Sequence, residues 1–256
     1  MLRDVLSKAF PLYTRPDAAK RILAFPFAGG GAGTYSSWAS LVPQEVELAA
    51  VELPGRGGRL DETPVREWPA LLELVAAELA PKLDKPFVVF GHSLGGKVAF
   101  QFVRLLRRRG LPMPLRLFIS ATPFPDGRPP KVHSSLPEPA LKAELARMGG
   151  TPPEVLAADD LMALLLPAIR ADLHLNETCV LADEPPLQTP ITAFRGSRDA
   201  ECPRDRVDGW LEMTHIPAES LTFDEGHFYL DRRARALLDR VLAPLGCATL
   251  EKRSDG

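Results

Sequence analysis

The chain has 256 residues, 45% hydrophobic and 25% charged, with 31 Lys and Arg against 33 Asp and Glu for a formal net charge of -2. That balance belongs to a globular chain able to bury a sizeable core, and it excludes a disordered or collagen-like polymer. With no basic excess there is no field to hold a polyanion, and no run reaches the ~18 apolar residues of a membrane helix, so neither a nucleic-acid nor a membrane partner is expected.

The first sixteen residues are broken by charges and prolines too early for an export signal, so a cytoplasmic location is expected. Cys179, Cys202 and Cys247 lie far apart and outside any CxxC spacing. They read as reduced thiols, so no disulfide framework or zinc site is expected, and the serine chemistry read below requires no metal or organic cofactor.

In chain order, short apolar runs alternate with helical stripes. Residues 21–27 (RILAFPF) and 46–53 (VELAAVEL) read as strands, followed by a helix with Leu71, Leu72, Val75, Leu79 and Leu83 at three- and four-residue steps. A strand at 86–91 (PFVVFG) passes through a glycine turn into a helix striped by Val98, Phe102, Leu105 and Leu106. Strands at 114–121 (PLRLFISA), 190–196 (PITAFRG) and 220–225 (SLTFDE) complete the pattern. Near-continuous apolar strands separated by helices predict an α/β fold, a mostly parallel central sheet flanked by helices on both faces, with ligands at the strands' carboxyl ends. Residues 1–256 are expected to form a single domain. The alternation stops after Ala121, and residues 125–188 read as an insertion with one helical pattern at Glu138–Met148 and a longer one from Glu154 to about Val180. Its place in the chain suits a lid over the carboxyl edge of the sheet, helical decoration being the alternative.

Two motifs overlap in the glycine turn. Gly91 to Gly95 is G-x-S-x-G, which puts Ser93 on a strand-to-helix turn so sharp that small residues must flank it, leaving Oγ exposed as a nucleophile. Gly91 to Lys97 is G-x-x-x-x-G-K, the pattern of a phosphate-binding loop. The second lacks its metal ligands: Val98 stands where Ser or Thr would hold magnesium, and the next strand carries no terminal Asp. The first calls for an acid and a histidine on later strand ends, in that order, and both are present. Asp199 follows the strand at 190–196, where its carboxylate can orient an imidazole. His227 follows the last strand and is placed to act as general base. Asp224 and Glu225 are the substitute acids; His92, His133, His174 and His215 are placed less well as bases. For the oxyanion, Leu94 offers the N–H after the nucleophile, and the loop from Ala28 to Gly33 offers a second, Ala28 first and Phe27 as the fallback. That loop is not a dinucleotide fingerprint, because its last glycine would fall on Thr34 or Ser36.

The series Phe25-Pro26-Phe27-Ala28-Gly29-Gly30, Leu53-Pro54-Gly55-Arg56, Gly91-His92-Ser93-Leu94-Gly95-Gly96, Asp199 and Gly226-His227-Phe228 resembles the type II thioesterases of polyketide and nonribosomal peptide assembly lines. The likeness spans residues 10–245 and includes Leu165 to Asp172, which is similar to that family's lid helix. It implies an α/β-hydrolase fold with a helical lid, and hydrolysis of acyl thioesters from the phosphopantetheine arms of acyl or peptidyl carrier proteins. It carries over Ser93, Asp199 and His227 as the triad, and Ala28 with Leu94 as oxyanion donors. The chain departs from the family where Leu94 replaces a frequent methionine and Glu225 a common glycine. A carboxylesterase with the same triad and a nucleotide-binding protein using Gly91–Lys97 remain the alternatives.

Arg104, Arg107, Arg108 and Arg109 fall far along the helix from Ser93, and they are expected to complement its C-terminus. Lys131, Lys142, Arg147 and Arg170 lie in the insertion, better placed near the substrate mouth for a carrier protein, although a solvated helix face is the preferred reading of them.

Overall fold

The computed structural model describes residues 13–250. Six strands form one wholly parallel sheet: β1 Lys20–Phe25, β2 Val46–Ala50, β3 Phe87–His92, β4 Leu117–Ser120, β5 Ile191–Gly196 and β6 Glu219–Phe223, in the order β2-β1-β3-β4-β5-β6. Each falls on a run expected to be extended, with its ends shifted by up to three residues: β1 and β6 begin one residue early and β3 ends one residue late. The expected mostly parallel sheet has no antiparallel strand among the described residues.

Period-two alternation explains how both faces are covered. On β1, Leu23 and Phe25 face one way and Ile22 and Ala24 the other; on β3, Val89 opposes Val88 and Phe90 in the same manner. The first face packs under α1 (Trp68–Leu79) and α2 (Leu94–Arg108), the second under α7 (Ala234–Leu242) and a helical turn at Ser36–Ala39. Fully buried Phe102 and Trp38 anchor the two layers, and burial of side chains of this size contributes roughly 1.5–3 kcal/mol each. The stripe at Leu71–Leu83 forms a helix only to Leu79, because Pro81 turns the chain into a 3-10 segment at Ala80–Lys82.

Between β4 and β5 the chain makes a helical excursion: α3 (Glu138–Met148), α4 (Pro153–Ala157) and α5 (Asp159–Glu177). Helix α3 ends where expected, with Gly149 in the left-handed region at φ 79°. The longer stripe, expected to be one helix, is two. Ala158 is extended at φ -91°, ψ 92°, and Asp159 and Asp160 then open α5, where carboxylates favour a helix N-terminus. A shorter helix, α6 (Arg204–Asp208), follows β5. No helix among the described residues is long and apolar enough to cross a membrane.

Strand order reverses between β1 and β3, since β2 lies on one side of β1 and β3 on the other. The carboxyl ends of β1 and β3 therefore border the crevice where such sheets bind ligands, with β5 and β6 delivering later loops to the same edge.

Candidate active site

Ser93 joins β3 to α2 at φ 55°, ψ -120°, a backbone conformation that a side chain with a Cβ rarely adopts. The surroundings hold it there. Its N–H donates to Ser120 O (2.8 Å), and its carbonyl accepts from Gly96 N–H (3.0 Å) and the Thr122 hydroxyl (2.9 Å). The flanking glycines are steric necessities: a Cβ at Gly91 would collide with the Gly95 carbonyl, and one at Gly95 with the Phe25 carbonyl at the end of β1.

His227, after β6, and Asp199, after β5, meet as the sequence predicts. Asp199 Oδ2 lies 2.6 Å from His227 Nδ1, and Asp199 Oδ1 accepts the Glu201 N–H at 3.0 Å. The Asp199 side chain is 1% exposed and that of His227 16%, so the imidazole keeps an open edge while its acid is desolvated. Ser93 reaches the same neighbourhood through His92, whose ring centroid is 5.5 Å from that of His227. Among the described residues no hydrogen bond joins the Ser93 hydroxyl to the imidazole; such contacts tighten when substrate fills the site. Phe27 and Phe228, 4.9 Å apart with edge to face, flank the two imidazoles.

The substitute acids are occupied elsewhere. Asp224 pairs with Arg198 (2.6 Å), and buried Glu225 accepts from Arg232 (2.9 Å) and Arg233 (3.1 Å), tying the His227 loop to the start of α7. His92 is fully buried, with Nδ1 on the Ser120 hydroxyl (2.9 Å), which also meets the Tyr229 hydroxyl (2.7 Å). Burial, and then the charge of His227, hold His92 well below the usual imidazole range, so it stays neutral. Ala28 is half-buried and its N–H has no acceptor among the described residues, and Leu94 is the first residue of α2, where an N–H lacks an intrahelical acceptor. Among the described residues no three His, Cys, Asp or Glu side chains gather closely enough to hold a metal ion.

Lys97, the lysine of the phosphate-loop pattern, is 6% exposed and donates to the Asn176 carbonyl (2.9 Å) and Oδ1 (2.8 Å) at the end of α5. Burial pushes its ammonium below the usual lysine range. It caps a helix C-terminus, where a cation is favoured, and the glycines around it serve backbone packing. Further along α2, Arg104 donates to Ala182 O (2.7 Å) and Arg107 to Pro185 O (2.6 Å), and both pair with Glu184. These arginines also hold the strap returning to β5, while Arg107 and Arg108 stand in the last turn of α2, as expected of cations at a helix C-terminus; Arg109 pairs with Glu73. In the excursion, Lys131 pairs with Glu201, Lys142 with Glu138 and Asp159, Arg147 with Glu144 and Glu201, and Arg170 donates to Ser134 O. All four cations singled out at the mouth are engaged within the chain.

Sequence reasoning missed one polar centre. Arg56, after β2, forms a two-pronged ion pair with Asp172 of α5, with Nη2 2.9 Å from Oδ1 and Nη1 on Oδ2. The two side chains are 6% and 2% exposed. Both residues lie in segments quoted for the family resemblance, but nothing in the sequence joins positions 116 apart.

Comparison with known proteins agrees with this geometry. The thioesterase domain family matches residues 20–245. The chain is 33% identical over 215 residues to the gramicidin S biosynthesis protein GrsT of Aneurinibacillus migulanus, covering 83% of this chain and 84% of that one. Among solved structures, the type II thioesterase BorB of the borrelidin biosynthetic cluster superposes with a TM-score of 0.82 at 29% identity, over 93% of this chain and 96% of BorB. YbtT, a type II thioesterase of the yersiniabactin NRPS/PKS pathway, does so with a TM-score of 0.81 at 31% identity, over 91% and 95% of the two chains. The parallel sheet with its strand-end crevice is thus the α/β-hydrolase fold, and this chain belongs to the thioesterase domain family, acting as a thioester hydrolase.

Proposed function

We propose that the protein is a type II thioesterase that releases aberrant or stalled acyl groups from the phosphopantetheine arm of acyl or peptidyl carrier proteins in a polyketide or nonribosomal peptide pathway. The contact between Asp199 and His227, 2.6 Å apart in the loops after β5 and β6 at the sheet edge that also carries the strained Ser93 turn, is the observation that carries this reading. The biosynthetic setting is supported by the relatives, whose names place them in such pathways.

In the proposed cycle, His227 Nε2 takes the Ser93 proton as Oγ attacks the thioester carbonyl, while Asp199 holds Nδ1–H and stabilises the imidazolium. The N–H groups of Ala28 and Leu94 receive the negative oxygen. The tetrahedral adduct collapses with cleavage of the C–S bond, and His227 returns its proton to the departing thiol. Water, deprotonated by the same imidazole, then cleaves the acyl-enzyme to give a carboxylic acid and free Ser93. These steps use the chain's own residues and water, the phosphopantetheine belonging to the substrate. Helices α3–α5 are read as a lid over the crevice.

Turnover of an acyl-pantetheine thioester by wild type, Ser93→Ala and His227→Ala tests the assignment. Both variants are expected to remain folded and to lose at least ~10³-fold in kcat; activity retained in either rejects it. Comparison with oxygen esters of the same acyl group separates a thioesterase from a carboxylesterase. Release from a panel of mis-acylated and correctly acylated carrier proteins tests editing, which requires preference for the former.

A further inference from the structure

Three successive amides follow β1. Gly30 N–H closes a turn on Phe27 O (2.9 Å), Gly29 N–H donates to Asp172 Oδ2 (2.7 Å), and Ala28 N–H, like that of Phe27 before it, has no acceptor among the described residues. Gly29, at φ 79°, occupies the third position of this four-residue turn, as in a type II turn. The central peptide of such a turn can face either of two ways, and the choice falls to whatever its N–H meets. Here it meets the Asp172 carboxylate. Arg56 grips the other side, donating through Nη1 to Gly30 O (3.0 Å) while it pairs with Asp172. One turn of α5 also packs on both loops: a Cβ at Gly29 would stand 3.0 Å from Ile169, and one at Gly55 3.3 Å from Ala168.

We infer that Arg56 and Asp172 are positioning residues for the oxyanion donor. Asp172 orients the Ala28–Gly29 peptide, and Arg56 fixes both Gly30 and the carboxylate that does so. The Ala28 N–H is thereby kept unbonded at the edge of the Ser93 turn only while α5 is seated, which makes docking of the excursion a condition for stabilising the transition state. The inference deepens the reading of Ser93, Ala28 and Leu94 given above and rests on it.

The test uses the full-length protein carrying Asp172→Asn or Arg56→Lys, with the folded fraction measured by circular dichroism. Asparagine keeps one acceptor and turns the other contact into donor against donor; lysine keeps the charge and loses the fork. The readouts are kcat and KM for a short acyl-pantetheine thioester, affinity for an alkylboronic acid that forms a tetrahedral adduct on serine, and affinity for the product carboxylic acid. In Asp172→Asn, kcat per folded molecule is expected to fall about 10- to 100-fold, with boronic-acid affinity falling in parallel. KM and product affinity should stay within about twofold of wild type, since an oxyanion donor acts on the transition state. Arg56→Lys should lose less in the same readouts, and it carries the test if Asp172→Asn does not fold. Wild-type kcat and boronic-acid affinity per folded molecule, with only a lower melting temperature, would overturn the inference by leaving the pair a purely structural role. Ser93→Ala, run alongside, should abolish both turnover and boronic-acid binding; wild-type turnover in that variant would reject the underlying reading, and this inference with it.

Discussion

Among the ion pairs that fasten the excursion between β4 and β5 to the rest of the molecule, two differ sharply in character. Arg56 and Asp172, with side chains 6% and 2% exposed, join the second half of α5 to the loops after β1 and β2. Arg147 and Glu201, 50% and 30% exposed, join α3 to the loop after Asp199. A pair removed from water cannot lose one member without leaving a naked charge behind, whereas an exposed pair is screened by salt and replaced by hydration. The far half of α5 is thus part of the fixed frame, reinforced by Lys97 on Asn176 and by the Trp68 indole on Leu175 O (3.0 Å). Helices α3 and α4 sit on weaker contacts, although the Gly150 that follows α3 lies against the ring of Phe228, next to His227.

The largest expected effect separates the two fastenings directly. Asp172→Ala strands Arg56 and should cost about 3–5 kcal/mol in denaturant unfolding. Arg147→Ala should leave the melting temperature essentially where it was, and equal losses in the two variants would dissolve the distinction.

Glu177, at the end of α5, accepts the His133 N–H (2.7 Å), the Ser134 N–H (2.9 Å) and the Ser134 hydroxyl (2.5 Å). Glu177→Ala is therefore expected to cost about 1–3 kcal/mol, an intermediate value that places this tether between the other two.

Hydrogen exchange should grade the excursion without mutation. Amides of residues 138–157 are expected to exchange faster than those of 169–177, and the gap should widen in 1 M salt as the exposed pairs are screened. Uniform protection across α3–α5 would count against a weakly held half.

The smallest effect concerns Cys179, just beyond α5, whose thiol burial pushes up to about 11; burial raises Cys202 as well. In the folded protein at pH 8 a thiol reagent should modify at most Cys247 quickly, with the other two reacting only on unfolding. The sign of the linked stability follows. The Cys179 thiol is protonated in the fold, so its contribution is complete below the unfolded pKa near 9 and is lost as pH rises from there toward 11, and raised Cys202 acts in the same direction. Rapid labelling of Cys179 would show that the end of α5 opens on its own.

Much of this architecture is legible in one dimension because it is written in local periods. Strands read from apolar runs and glycines at a strand-to-helix turn depend on neighbours a few residues apart, and Ser93, Asp199 and His227 follow from strand ends taken in order. What escaped is long-range or depends on backbone detail. Arg56 and Asp172 are each unremarkable in their own segments, and their meaning arises only when two loops and a helix converge. The break at Ala158 is hidden because apolar spacing continues across it. Arg104 and Arg107 looked like residues of a helix end, and only the course of residues 182–186 shows what they bind.

The backbone angles at Ser93 carry a consequence for the origin of this molecule's stability. At φ 55° and ψ -120° a glycine would rest at ease, whereas a residue with a β-carbon stores about 1–3 kcal/mol of conformational cost. Replacing Ser93 by glycine should therefore raise the melting temperature while extinguishing hydrolysis. Folding alone would select against the very residue proposed to attack the substrate, and its presence marks the point where robustness yields to reactivity.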